Sequence, residues 1–152
     1  MLRQTHSIPF AGLADTGLLK IEQSLPRDRV LQMRRVLRNV YIGSPNPELP
    51  LPVVAAINTN VMQAFETCFL ESYRMKLRYK DRNGRKTQRL ADPHAILVLS
   101  PAWYMVGYDA EKSEFRHFRM DRIEKASATD VSFQRRSFTV DEGVCPFTTH
   151  FV

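Results

Sequence analysis

In Tyr73-Arg74-Met75-Lys76-Leu77-Arg78-Tyr79-Lys80-Asp81-Arg82-Asn83-Gly84, the apolar residues Tyr73, Met75, Leu77 and Tyr79 alternate with the basic residues Arg74, Lys76, Arg78 and Lys80. A period of two places successive side chains on opposite faces, so the run predicts an antiparallel strand with one buried and one cationic face. Asn83-Gly84 supplies the signal of a tight hairpin, and a return strand is expected over 87–91.

Downstream, further short strands are readable at 94–99, 103–109, 114–119 and around 124–133. Turn chemistry stands at Ser100-Pro101 and over 109–113, and one helical turn fits at 121–124. Short strands so closely spaced favour a small antiparallel barrel over a parallel sheet. Upstream, the helical period returns: Asn58 or Thr59 caps a helix through Val61, Met62, Phe65, Phe69 and Glu71. Before it, residues 43–52 contain four prolines and read as an extended connector. Two helices are expected ahead of the connector. Asp15 caps a short one through Leu18, Leu19 and Glu22, and Pro26 suits the first turn of a second running to about Val40. In the second, Val30, Met33, Leu37 and Val40 form one stripe, with Arg27, Arg29, Arg34, Arg35 and Arg38 mostly off it.

A chain of 152 residues with 43% hydrophobic and 25% charged residues has the composition of one soluble domain with one main core. The N-terminus lacks the apolar core of a secretory signal, and the longest apolar stretch, around 53–57, is far too short for a membrane span, so a cytoplasmic protein is expected. Cys68 and Cys145 make no CxxC pair. His6, His94, His117 and His150 show no metal-ligand spacing. HExxH, a phosphate-binding glycine loop and GxSxG are all missing from the sequence. Neither a metal, a cofactor nor catalysis is expected, and Cys145 beside Pro146 forms no distinctive nucleophile motif.

The charge is unevenly placed. Residues 74–89 hold eight cations against Asp81 alone, a net of +7, while the rest of the chain nets −1 of the total +6. Such a patch either attracts phosphates and other anions or is a solvated strand face. Trp103 and Tyr104 occupy successive strand positions, so Trp103 and Met105 face one way and Tyr104 and Val106 the other; they line a pocket or pack a core. Arg116, Arg119 and Arg122 recur at intervals of three. They form a donor fork for an anion, or one pairs with Asp121 while the other two are solvated. His94 is either a hydrogen-bonded histidine at a strand edge or a ligand contact, and His117, turned away from Arg116 and Phe118, is expected to be exposed.

Asp92-Pro93-His94 with Ile96-Leu97-Val98, then Ala102-Trp103-Tyr104-Met105-Val106-Gly107-Tyr108, then Arg116-x-Phe118-Arg119-Met120-Asp121-Arg122-Ile123, resembles the pattern of the WYL family. The helix before Tyr73 and the basic hairpin fit the same order, and the resemblance covers about residues 58–133. Met105 stands where the family usually has Leu, a volume-conserving change. The resemblance implies an α+β chain: short amphipathic helices followed by a small Sm-like antiparallel β-barrel. It divides the chain into a helical spacer and Pro-rich connector (1–52), a WYL barrel with its leading helix (53–135) and a C-terminal tail (136–152). It implies a ligand-sensing domain of a bacterial transcription regulator, working with a helix-turn-helix domain that this chain does not show. The effector would be an anion, a nucleotide or short single-stranded nucleic acid. Its pocket would comprise Trp103, Tyr104, Arg116, Arg119 and Arg122, with Tyr79 and His94 nearby and Arg74, Lys76, Arg78 and Lys80 as a basic patch. The alternative is a dimerisation or interaction module built on the helices, with a homodimer as its product.

Overall fold

The computed structural model describes residues 19–138 except 22, 45 and 46. The expected helix cap at Asp15, the residues Leu18, Glu22, His6, Cys145 and His150, and the tail after 138 therefore lie outside the described residues. The chain divides into two compact units, 1–39 and 40–152.

In the first unit, helix α1 spans Arg27–Arg38. Pro26 starts it, because its fixed φ suits a helix entrance and its missing N–H would have had no partner there. The Pro26 carbonyl accepts from the Val30 amide at 3.0 Å. Asp28 in the first turn and Arg35 and Arg38 in the last complement the helix dipole. Asn39 ends the helix, its Nδ2 donating to the Arg35 carbonyl at 2.7 Å. The helix thus stops before Val40, and no residue of α1 is buried.

The second unit opens with strand β1, Val40–Ile42, in place of the expected helix end at Val40. Helix α2, Thr59–Glu71, begins as expected at Asn58, whose side chain accepts from the Asn60 amide. It ends at Ser72 in the left-handed region. Then come β2 (Tyr73–Lys80), β3 (Lys86–Leu99), β4 (Ala102–Asp109), β5 (Glu114–Arg119), a 3-10 turn (Met120–Arg122) and β6 (Ile123–Ser132). The sheet order is β5-β4-β3-β2-β6, antiparallel throughout, with β1 added parallel to β3 at Ile96–Val98.

Two expectations are corrected in β3. The return strand and the segment 94–99 are one strand of 14 residues. Pro93 does not break it, because a register shift between Pro93 and Ala95 in the ladder to β4 absorbs the residue that cannot donate. The hairpin before it is also wider than a two-residue turn. Lys80 stands opposite Lys86, and Asp81 organises the five residues between by accepting from the Asn83 and Arg85 amides. Gly84 takes φ 78°, which favours glycine.

The Sm-like barrel is not formed: the sheet is open. β5 pairs with β4 and β6 with β2, and no ladder joins β5 to β6 among the described residues. The face that a barrel would bury against itself is covered instead by α2. Val61, Phe65, Cys68 and Phe69 of the helix share one core with Met75, Leu77, Tyr79, Met105, Phe118, Met120 and Ile123. Each large apolar side chain so buried contributes roughly 1.5–3 kcal/mol. At the open end the 3-10 turn carries the chain from one edge strand to the other, and the buried Tyr79 hydroxyl accepts the Arg119 amide at 3.3 Å. One hydrogen bond thus satisfies the last amide of β5. A second cluster, Ala95, Leu97, Leu99, Ala102, Tyr104 and Val106, packs with Tyr41, Val54, Phe115 and Phe138 on the other face.

Candidate functional site

Strand parity decides which of the expected site residues meet. In the β4–β5 ladder Tyr104 stands opposite Arg119 and Val106 opposite His117, whereas Met105 stands opposite Phe118 and Gly107 opposite Arg116. Residues three apart on a strand point to opposite faces, so Arg116 and Arg119 do not converge. Arg116 is bound to Glu114, with Nε and Nη2 at 2.8 and 2.7 Å from its carboxylate, and lies 4.0 Å from Asp109. Trp103 is 43% exposed and Tyr104 9%, on opposite faces as expected.

Arg119 is answered within the fold. Its Nε and Nη2 grip Asp121 at 2.7 Å each, and Nη2 also donates to the Val53 carbonyl at 2.7 Å. Asp121 in turn accepts the Ala55 amide at 3.0 Å. Burial pushes the Asp121 carboxyl up, but the hydrogen bonds from Arg119 and Ala55 outweigh it and hold the group below the usual carboxylate range.

Arg122 lies beside the Tyr79 hydroxyl. Burial raises the tyrosine above its ordinary value, opposed by hydrogen bonds from the Arg119 amide and the Arg122 side chain. Arg122 also lines a cleft of about 470 Å³ between the β2–β3 hairpin and the 3-10 turn, together with Lys80, Asp81, Arg82, Gly84, Asp121 and Glu124. The cleft's three carboxylates are all engaged. Asp81 takes two turn amides, Asp121 holds Arg119 and Ala55, and Glu124 accepts from Arg78 and Lys86 at 2.9 Å each. Lys80, Arg82 and Arg122 enter no ion pair among the described residues.

The remaining basic residues divide in two. Arg74 is spent on the fully buried Asp92, with contacts of 2.7 and 3.1 Å, and Arg78 is held by Glu124. Lys76 and Lys80 are exposed. Arg82, Gly84, Asp121 and Glu124 were not among the expected site residues. The signal for the first two was the hairpin itself, whose tip must stand at an end of the strand carrying Lys80.

His94 is buried against Phe115, Phe133 and Phe138. Its Nε2 accepts the Arg136 amide at 3.0 Å, so Nδ1 carries the proton donated to the Asp92 carbonyl at 2.7 Å. It fastens the segment after β6, aided by Arg135, which donates to the carbonyls of His94 and Phe69. Burial lowers its pKa, and Arg135 and Arg136 act in the same direction. A histidine held neutral in the fold contributes stability that is complete above about pH 6.5 and is lost as pH falls through that value towards the folded pKa. Urea midpoints measured from about pH 7.5 down to about pH 5.5 should therefore fall more steeply for the native chain than for His94→Phe; parallel profiles would show that His94 does not titrate there. His117 is not exposed as expected but 4% accessible, because the second cluster covers its face too. Cys68 is buried, its thiol pushed up to about 11 by desolvation, which leaves it inert.

Among the described residues no group of histidine, cysteine and carboxylate side chains could hold a metal, and no helix is long and apolar enough to cross a membrane. Residues 60–128 match the family model described as WYL domain. Among solved structures, the chain is similar to Proteasome accessory factor B/C (PafBC) of Arthrobacter aurescens, at 22% identity and a TM-score of 0.47, covering 59% of this chain. It spans only 15% of the length of that protein. Residues 60–128, which hold α2 and the strands from β2 into β6, are thus similar to a WYL domain.

Proposed function

We propose that this chain is the sensing part of a transcription regulator and that its cleft binds an anionic effector, a nucleotide or a short single-stranded nucleic acid, through phosphate. One observation carries the reading: Lys80, Arg82 and Arg122 line the cleft and enter no salt bridge among the described residues, while Asp121 is gripped by Arg119 and Glu124 by Arg78 and Lys86. With two of the lining carboxylates already paired to other cations, the guanidinium and ammonium donors of these three keep capacity for a phosphate. Arg116, Arg119 and Arg74 are engaged elsewhere and act as framework. Trp103 lies outside the cleft lining, so phosphate contacts rather than base stacking dominate recognition.

A 5′-phosphorylated oligothymidylate, followed by fluorescence anisotropy, tests this. Binding should be clear at about 50 mM salt and weaken steeply by about 200 mM, and Arg122→Ala should lower affinity at both and flatten the salt dependence by about one unit. Absence of binding at the lower salt would remove the nucleic-acid reading.

A second reading rests on α1. No residue of that helix is buried, and Leu31 is 67% exposed, which suits an interaction helix that completes its packing against another chain. Sedimentation at high micromolar concentration decides it: a monomer would count against this reading.

A further inference from the structure

The residue that walls the cleft also holds the connector. Asp121 lines the cleft, and the same carboxylate accepts the Ala55 amide through Oδ2 at 3.0 Å and receives Arg119 on both oxygens. Arg119 extends the hold by donating to the Val53 carbonyl at 2.7 Å. Residues 53 and 55 belong to the stretch that leads from β1 to α2 and is therefore tied down at a point 66 residues away in sequence. Val53 itself is 93% exposed, so these polar bonds, with the packing of Val54 on the second cluster, fasten this stretch.

From this geometry we infer that the Arg119–Asp121 pair is a release catch, through which an anion in the cleft frees the connector at residues 53–55. The inference rests on the binding reading above and adds its regulation. A phosphate held by Lys80, Arg82 and Arg122 brings negative charge up to the Asp121 carboxylate. The two anions repel in a partly buried site, where charges are screened less than in water. Arg119, two residues from Asp121 and already sharing Nη2 between Asp121 and Val53, is drawn towards the added charge. Both changes weaken the same two backbone bonds, Ala55 N–H to Asp121 and Arg119 to the Val53 carbonyl. A ligand shifts an equilibrium only by its differential affinity for the two states, so the coupling is reciprocal. Releasing the connector by another route must tighten anion binding by the same factor. The connector is continuous in sequence with β1, which pairs with β3 at Ile96–Val98.

The test reads the Ala55 amide by NMR hydrogen exchange in the full chain. The probe is the 5′-phosphorylated oligothymidylate, with potassium chloride at matched ionic strength as the control. With the oligonucleotide bound, Ala55 exchange should rise about tenfold while the β3–β4 amides stay unchanged, since local opening leaves the rest of the fold intact. Asp121→Asn should show the faster Ala55 exchange without any probe and bind the oligonucleotide more tightly; its melting curve shows that it is folded. Arg122→Ala should lose the response to the probe. Binding in the native chain with unchanged Ala55 exchange overturns the catch and leaves the site standing. Absence of binding overturns both. Ala55 exchange in Asp121→Asn equal to that of the native chain also overturns the catch, because the carboxylate would then not be what holds the connector.

Discussion

Arg74→Met is expected to destabilise the fold by about 3–5 kcal/mol, the cost of leaving a buried carboxylate without its partner. Asp92 has no solvent access, and its two oxygens are gripped by Arg74 Nε and Nη2. With methionine in place the packing of the stem survives while the charge does not. The double variant Arg74→Met/Asp92→Leu should recover much of the loss, because replacing a whole buried pair by apolar residues is often nearly neutral. Urea denaturation of both variants checks this. A single variant within about 1 kcal/mol of the native chain would mean that water screens the pair, as at exposed sites. The same pair bears on function as well. A residue that belongs to the basic run in sequence is a structural one in space, so loss of oligonucleotide binding in Arg74→Met would report unfolding rather than a lost contact.

Phe118→Ala should cost about 3–5 kcal/mol, the range for a large aromatic removed from a close-packed core. Phe118 is inaccessible to solvent and meets the Tyr79 ring edge-on at a centroid distance of 5.5 Å. Tyr79 is the side chain that reaches from β2 across the open end of the sheet to the Arg119 amide, so the cavity falls beside the contact that links β2 to the end of β5. Besides the lower stability, the variant should show faster exchange of the Arg119 amide than of the β3–β4 amides. Uniform exchange across these sites, or a loss below about 1.5 kcal/mol, would show that the open end does not depend on this contact.

Local rules read well from the sequence. The alternation from Tyr73 to Lys80, the Asn58 cap and the helix behind Pro26 stand where residue patterns put them, because each depends on neighbours within a few positions. What failed depends on distant partners. Barrel closure requires β5 to find β6, and no residue pattern within either strand says whether a helix will take the space instead. β1 has only three residues, Val40–Ile42, and exists because β3 offers a partner at Ile96–Val98. The strands expected over 87–91 and 94–99 run together because Pro93 sits at an irregularity of the ladder, and such a bulge is a property of two strands together. Placing His117 in solvent assumes one wet face, yet Phe118 and Phe115 show that apolar clusters cover both faces of β5.

For the site, the arginines at intervals of three read as a cluster only if strand parity is ignored. Applied to Arg116 and Arg119, parity separates them on the residue spacing alone. Arg122 escapes the rule because the 3-10 turn intervenes, and it reaches the cleft with Lys80. That one arginine pairs with Asp121 is legible, since Arg119 stands only two residues away; that Val53 and Ala55 join them is a long-range outcome with no local signature.

Whether an anion binds in the cleft between the hairpin and the 3-10 turn is tested most directly by amide-resolved NMR of the nitrogen-labelled chain, titrated at low salt with the 5′-phosphorylated oligothymidylate. Shift changes concentrated at residues 80–84 and 121–124, with Trp103 and Arg116 undisturbed, are the predicted result. Changes centred on Trp103 and Arg116 instead, or none at all, would contradict it.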